Sequence, residues 1–273
     1  MDHAKDTRLG TEAIPKLMLE LAVPSVIAQL INVLYNIVDR IYIGRIPEIG
    51  ATALTGVGVT FPVITLVSAF SSFMGAGGAP LASIALGRGD RQRADRILGN
   101  TSTMLVIFSL LLTVVFLIFR EPLLYMFGAS DNTIVYAADY ITIYLCGTIF
   151  VLLALGLNPF ISSQGQARTA MLSVLIGAVI NIVLDPIFIF LLGMGVKGAA
   201  YATVLSQAVS AVWVVRFLTS PRSAIRIRRK NLVPSPDIIF SIAALGVSPF
   251  VMQATESAIT IVLNNGLQNY GGD

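Results

Sequence analysis

The stretch "AMLSVLIGAVINIVLDPIFIFLL", residues 170–192, contains one ionisable side chain, Asp185, and one amide, Asn181, in an otherwise almost wholly apolar run. A run of about 20 apolar residues is long enough to cross the hydrocarbon core of a bilayer as a helix. A carboxylate at the centre of such a helix costs about 2.5–3.5 kcal/mol on insertion scales. Because Asn181 lies four residues before Asp185, both side chains lie on one face of the helix. The stretch therefore predicts a membrane span that carries a costly polar pair.

The composition of the whole chain fits a membrane protein. Of its 273 residues, 55% are hydrophobic and only 12% are charged, with a mean hydropathy of +0.81, whereas a soluble domain carries about 25% charged residues. No strand-length alternation and no charged heptads recur along the sequence. We predict an all-α, polytopic membrane protein with seven spans. They lie near residues 17–39, 51–79, 97–119, 134–157, 169–191, 196–217 and 238–264.

Lys and Arg are distributed unevenly between the two sides of these spans. Fourteen fall on the side of the N-terminus: Lys5, Arg8, Lys16, Arg88, Arg91, Arg93, Arg96, Arg168, Arg216, Arg222, Arg226, Arg228, Arg229 and Lys230. The other four are Arg40, Arg45, Arg120 and Lys197. Cytoplasmic loops carry the excess of these residues, so we predict a multi-pass protein of the cytoplasmic (inner) membrane with a cytoplasmic N-terminus. The run IRIRRK, residues 225–230, is typical of such a topology signal, and binding of anionic lipid is the alternative.

Several functional classes are disfavoured by what the sequence contains. The N-terminal residues mix acids and bases and do not resemble a signal peptide, so we expect the first span to be retained. Cys146 is the single cysteine and His3 the single histidine, which leaves no intramolecular disulfide and no Cys/His metal cluster. The net charge of +3 follows from topology and does not indicate nucleic-acid binding. Any proton chemistry within the membrane must therefore use carboxylates.

A short internal repeat indicates how the chain is organised. LAVPSVIAQ, residues 21–29, and LGVSPFVMQ, residues 245–253, share Leu, Val and Gln at the same positions, and each opens a predicted span. An even number of spans separates the two starts, so both copies run in the same direction, as in transporters built from parallel repeats. The second copy reaches NYGGD after a single helix. We therefore expect that about five further helices are missing from the chain.

Polar residues follow one face of the first predicted span. Ser25, Gln29, Asn32, Asn36 and Asp39 fall within an arc of about 80° at 100° per residue. Lipid cannot satisfy such a face, so it must contact other helices or water. Thr203, Ser206, Gln207 and Ser210 share a face of the sixth span in the same way. Interhelical hydrogen bonding accounts for the serines, but a neutral Asn would serve that purpose more cheaply than Asp39 or Asp185.

Two carboxylates from different spans, with an amide and a hydroxyl nearby, predict an oxygen-rich pocket in a medium of low dielectric constant. Such a pocket holds a hard cation such as Na⁺ or takes up protons. A pocket that is alternately filled and empty can couple an ion gradient to another process.

Two other features of the sequence allow two interpretations each. Tyr136, Tyr140 and Tyr144 form a packing seam or a substrate-facing wall, and the glycines at 75, 77 and 78 serve close helix packing or a hinge.

Five segments together carry a family resemblance. They are LAVPSVIAQLINVLYNIVDRIYIGRI (21–46), GAGGAPLASIALGRGDRQRA (75–94), LNPFISSQGQ (157–166), NIVLDPIFIF (181–190) and GMGVKGAAYATVLSQ (193–207). With them the chain resembles the N-terminal half of a multidrug and toxic compound extrusion (MATE) transporter of the DinF-like branch. The resemblance implies twelve helices in two six-helix lobes. It also implies a cation site at Asp39, Asn181, Asp185 and Thr203, and some members use a glutamate of the seventh helix, here Glu256.

The resemblance implies a domain organisation and a function. Residues 1–218 would form the N-terminal lobe, 219–237 a basic cytoplasmic linker, and 238–273 the start of the second lobe. The expected function is H⁺- or Na⁺-coupled antiport that exports organic, often cationic, compounds, with no cofactor beyond the coupling ion, which is Na⁺ or H⁺ at those four residues. Further candidate substrate contacts are Glu256, Gln29, Asn32, Asn36 and Gln207.

The expected partners are small organic molecules, the bilayer and the missing six-helix lobe, with a monomer as the working unit of the full-length protein. No nucleic acid and no enzymatic activity are expected, since the spans show no nucleophile–base pair. Two alternatives stay open. A lipid-linked saccharide flippase of the same superfamily would line its cavity with basic residues, which are absent mid-span here, and a non-transporting scaffold would not need Asp185.

Overall fold

The computed structural model describes residues 13–271, and these form seven membrane spans without a strand. The spans are Ile14–Gly44 (span 1), Gly50–Val59 with Phe61–Gly87 (span 2), Arg91–Ile118 (span 3), Ile134–Cys146 with Thr148–Ser162 (span 4), Ala167–Pro186 continued by Ile187–Leu191 (span 5), Val196–Thr219 (span 6) and Pro236–Gly271 (span 7). A short helix, Arg120–Met126, follows span 3, and a single 3₁₀ turn, Arg229–Asn231, lies between spans 6 and 7. The predicted polytopic all-α fold is confirmed. His3, Lys5 and Arg8 lie outside the described residues.

Two spans that the sequence predicts as continuous are interrupted. Span 4 bends by 60° between Cys146 and Thr148. A side chain on Gly147, at the bend, would collide with Val204 of span 6, so only glycine permits this approach. Span 2 is interrupted at Thr60, just before Pro62; since proline lacks a backbone N–H, it fits the first turn of a new helix better than the interior of a continuous one.

The spans pack as one bundle in which span 1 is peripheral. Span 1 packs chiefly along span 5, while span 6 packs against spans 4 and 5, and span 2 contacts spans 3, 4 and 7. The outer face of span 1 exposes large apolar side chains such as Val26, Leu30 and Leu34, which suits contact with lipid. On its polar face Asp39 is buried against the bundle, whereas Ser25, Gln29 and Asn36 are exposed.

Span 7 is attached to the first part of the chain along its whole length. The Gln253 Nε2 donates to Ser72 Oγ at 2.6 Å, and the Ser257 hydroxyl donates to the Pro62 carbonyl at 2.9 Å. Near its end, Asn265 Nδ2 donates to the Met126 carbonyl at 2.9 Å. These hydrogen bonds hold span 7 against span 2 and against the short helix that follows span 3.

Candidate functional site

The four residues of the predicted cation site converge inside the bundle. Asn181 Nδ2 donates to Asp185 Oδ1 at 3.3 Å and to Thr203 Oγ1 at 3.5 Å. Asp39, Asn181, Asp185 and Thr203 are each no more than 9% exposed, so none of them faces lipid. The i, i+4 spacing aligns Asn181 with Asp185 on span 5, and the packing of span 6 against span 5 adds Thr203.

Asp39 enters the cluster from span 1. Its carboxyl group lies in direct contact with the carboxyl group of Asp185. Two carboxylates in contact repel each other unless a proton or a cation lies between them. The stability of the contact between spans 1 and 5 therefore depends on whether a proton or a cation lies between the two carboxyl groups.

Three oxygen atoms of the cluster have no hydrogen-bond donor. Asp39 Oδ1, Asn181 Oδ1 and Asp185 Oδ2 are buried and unpaired. Buried acceptors without a partner are uncommon in proteins, and each requires a physical explanation. Carboxylate, amide and hydroxyl oxygens are the donor set that hard cations prefer. The cluster is thus chemically suited to hold a small cation or protons.

The tyrosines of span 4 also reach this cluster. Tyr140 and Tyr144 are buried and stacked, with ring centroids 6.4 Å apart at 15°. The Tyr140 side chain lies near Thr203, and Tyr35 of span 1 lies near Gln207. Sequence reasoning did not include Tyr35 or Tyr140 among the site residues. The four-residue spacing of Tyr136, Tyr140 and Tyr144 indicates that these tyrosines share one face of span 4.

Span 5 changes its helical form directly after the cluster. Pro186 follows Asp185 and is succeeded by a π-helical segment, Ile187–Leu191. Proline removes a backbone donor from the helical ladder, and single π turns occur frequently at functional sites. The disturbance of the helix at Pro186 thus takes the form of a wider turn next to Asp185.

A polar cavity lies next to the cluster. It has a volume of about 230 Å³ and is lined by spans 1, 4, 5 and 6, and none of the lining residues is charged. Its polar side chains include Ser25, Gln29, Asn32, Asn158, Ser206 and Gln207. The lining residues of spans 1 and 5 precede Asp39 and Asn181 in the chain, and those of span 6 follow Thr203. The cavity therefore lies on the side of the cluster where spans 1 and 5 begin.

The candidate substrate contacts are distributed unevenly. Gln29, Asn32 and Gln207 line the cavity. Asn36 is exposed, and its amide donates to the Asn32 carbonyl of its own helix at 2.7 Å. Glu256 is exposed on span 7, which packs along span 2. The structure thus does not place Glu256 in the cluster.

A bundle of membrane spans with a polar cavity beside a buried carboxylate pair has the architecture of a membrane transporter. Residues 24–187, more than half of the chain, match the MatE family model. The chain belongs to the MatE family.

Individual relatives agree with this assignment. The Multidrug export protein MepA of Staphylococcus haemolyticus (strain JCSC1435) is 27% identical over 259 residues, which are 95% of this chain and 57% of the relative. The outward-facing structure of a multidrug resistance MATE family transporter of the MOP superfamily is 29% identical with a TM-score of 0.84, covering 94% of this chain and 56% of its own. A solved chain described as protein A is 35% identical with a TM-score of 0.91. The match covers 97% of this chain and 59% of the solved chain. The chain therefore spans somewhat more than half the length of these relatives.

Proposed function

We propose that this protein is the cation-binding part of an H⁺- or Na⁺-coupled antiporter, of the DinF-like branch, which exports organic compounds across the cytoplasmic membrane. The observation that carries the proposal is the set of unpaired buried oxygens on Asp39, Asn181 and Asp185. The similarity to a relative described as a multidrug export protein supports the substrate class. Cation binding at the cluster is the step that would couple the gradient to export.

The coupling follows from where the cluster lies. Asp39 and Asp185 meet across the contact between spans 1 and 5, and the cavity is enclosed by the same two spans with spans 4 and 6. A cation or proton between the carboxyl groups removes their repulsion and holds span 1 closer to span 5. When the cluster is empty, the repulsion favours a different position of span 1 and hence a different cavity. Each ligand then favours one state of the bundle, which is the requirement for antiport.

The charge distribution favours organic cations as cargo. The cavity offers amides and hydroxyls but no charge of its own. The acidic groups next to the cavity are those of Asp39 and Asp185. A cationic substrate and the coupling ion would therefore compete for the negative charge of these two carboxylates. A saccharide-lipid flippase would require basic side chains for its phosphates, and none lines the cavity.

The test is export of a fluorescent organic cation from cells that produce the protein and lack their own drug pumps. We expect cells to stay less fluorescent than controls with an empty vector. The proton gradient and the sodium gradient are then collapsed one at a time, and collapse of the one that drives transport should stop the export. Export that persists after both gradients are collapsed, with ATP still present, would rule out cation coupling.

Orientation gives a separate prediction. Because Cys146 is exposed, the measurement starts from the Cys146→Ser variant. Single cysteines at Arg91 and Arg229 should resist an impermeant thiol reagent in intact cells, since the excess of Lys and Arg on that side predicts a cytoplasmic location. A cysteine at Asn132, in the loop between spans 3 and 4, should react. Labelling in the reverse pattern would show that the N-terminus is external.

A further inference from the structure

The segment between spans 6 and 7 is fixed to the rest of the protein by a buried acid. Asp95 of span 3 accepts a hydrogen bond from the Arg226 backbone N–H through Oδ1 at 2.8 Å. Its Oδ2 lies 3.0 Å from Arg228 Nε. Both oxygens of this buried carboxylate are thus occupied by the segment, and such charge-assisted contacts are among the stronger hydrogen bonds in proteins.

Two amide side chains hold the two ends of the same segment. Gln164 Oε1 accepts hydrogen bonds from the Ser223 hydroxyl at 2.9 Å and from the Ala224 N–H at 2.7 Å. Asn100 Oδ1 accepts from the Ser235 N–H at 2.6 Å. Residues 223–235 therefore follow a defined path along span 3, although the sequence there is typical of a flexible, charged loop.

This fixed path carries two exposed cations, and two exposed apolar side chains follow them in the chain. Arg229 and Lys230 occupy the 3₁₀ turn between the Asp95 and Asn100 attachments, and both are exposed. Within the described residues neither side chain has an ion-pair partner. Val233 and Phe240 follow and are 69% and 80% exposed. We name Arg229, Lys230, Val233 and Phe240 the linker patch.

A topology signal alone does not require this arrangement. The positive-inside effect depends on how many Lys and Arg residues flank the spans, and it would act equally on a loop without Asp95, Asn100 or Gln164. Here one arginine, Arg228, is neutralised by Asp95, and the next two cations are directed outward by the turn. Cations that flank a membrane span on this side can reach lipid phosphates, and exposed apolar side chains near the start of the same span can reach acyl chains.

We propose that the linker patch binds the headgroup of an anionic phospholipid. Arg229 and Lys230 contact the phosphate, and Val233 and Phe240 contact the first part of the acyl chains. Each cation near an anionic bilayer surface adds to the attraction, and the effect falls off within a Debye length. The apolar half of the patch distinguishes a lipid from free phosphate, which has no group to place against Val233 or Phe240.

The experiment is a lipid titration of the purified chain in neutral detergent, followed by native mass spectrometry. Dioleoyl phosphatidylglycerol should bind more tightly than dioleoyl phosphatidylcholine. The Arg229→Gln/Lys230→Gln variant should bind phosphatidylglycerol about thirtyfold more weakly, because two cations are lost. The matched control is Arg168→Gln/Arg222→Gln, which removes two exposed cations from the same side of the protein and should change the affinity less than about twofold.

Two further arms separate the sources of phosphate. Val233→Ser/Phe240→Ser should weaken phosphatidylglycerol binding while the cations are intact, and millimolar inorganic phosphate should not displace the lipid. Three results would overturn the proposal. The first is equal binding of the two lipids, and the second is an equal loss in the control variant. The third is displacement by inorganic phosphate together with normal binding by the serine variant. Unchanged unfolding temperatures verify that each variant remains folded.

Discussion

Asp185→Asn should abolish gradient-driven export while the protein still folds and enters the membrane. Asp185 is fully buried, and its Oδ1 accepts the Asn181 amide while its Oδ2 is unpaired. The introduced amide retains the size and the acceptor for Asn181. Its NH₂ group, however, places a donor beside the Asp39 carboxyl group and cannot release a proton or balance a cation. We expect export to fall by more than about tenfold, the loss that about 1.4 kcal/mol of cation binding represents.

Asp39→Asn should cause a similar loss, and the double variant should lose little more than either single one. The two carboxyl groups are in contact and serve one site, so their effects do not add. Asn181→Ala and Thr203→Ala should weaken export less, since each removes one neutral ligand. Asp139→Asn is the control: its carboxylate lies 3.4 Å from Lys197 and is partly exposed, so export should change little.

The measurement compares export with the amount of folded protein in the membrane for each variant. A purely structural role for Asp185 predicts the opposite order of effects. Asp185→Asn would then export normally, while Asp185→Ala would fold poorly because the Asn181 amide loses its acceptor. Full export by Asp185→Asn would mean that the cluster is an ordinary hydrogen-bond network.

The location of the spans and most of the site could be predicted from local patterns. The apolar runs mark all seven spans, and the polar arc of span 1 correctly directs Asp39 to the interior because lipid cannot satisfy it. Asn181 and Asp185 form an i, i+4 pair on span 5, and the sequence places this pair in the interior as well, because lipid cannot satisfy its polar groups. The sequence does not show which spans approach each other. The proximity of Tyr140 to Thr203 therefore could not be derived from the spacing of Tyr136, Tyr140 and Tyr144 alone.

Features that depend on distant neighbours were missed. Span 4 bends at Gly147, where Val204 of span 6 approaches, and no proline signals the bend. The basic linker was interpreted as a topology signal, since its attachments to Asp95 and Asn100 join residues more than 100 positions apart. Hydrogen bonds of this kind leave no periodic pattern in the sequence.

The glycines of span 2 illustrate how structure decides between two interpretations. A hinge and close packing were equally compatible with the sequence around Gly75, Gly77 and Gly78. Span 2 continues as a helix to Gly87 without interruption at these residues, and all three glycines are buried. A Cβ atom on Gly75 would lie 2.5–3.0 Å from three backbone atoms of Gly156 in span 4. The structure therefore favours close packing, with Gly75 and Gly156 at the crossing of spans 2 and 4.

Gly75→Val should consequently destabilise the protein strongly. Valine has a higher helix propensity than glycine, so propensity alone predicts a small gain in stability. The obstacle at Gly75, however, is backbone, which cannot rotate away as a side chain can, and overpacking of this kind costs about 3 kcal/mol. We expect a clear decrease in the unfolding temperature of the purified protein, measured by scanning fluorimetry in detergent.

Gly87→Val is the matched control for this substitution. Gly87 belongs to the same helix, but a Cβ atom there would meet nothing within 4 Å. Only the propensity effect remains at Gly87, so the unfolding temperature should stay the same or rise slightly. If the two variants unfold at the same temperature, the crossing of spans 2 and 4 tolerates separation and Gly75 is not a packing residue. If Gly75→Val alone is destabilised, the close approach of spans 2 and 4 at Gly75 and Gly156 is required for the stability of the bundle.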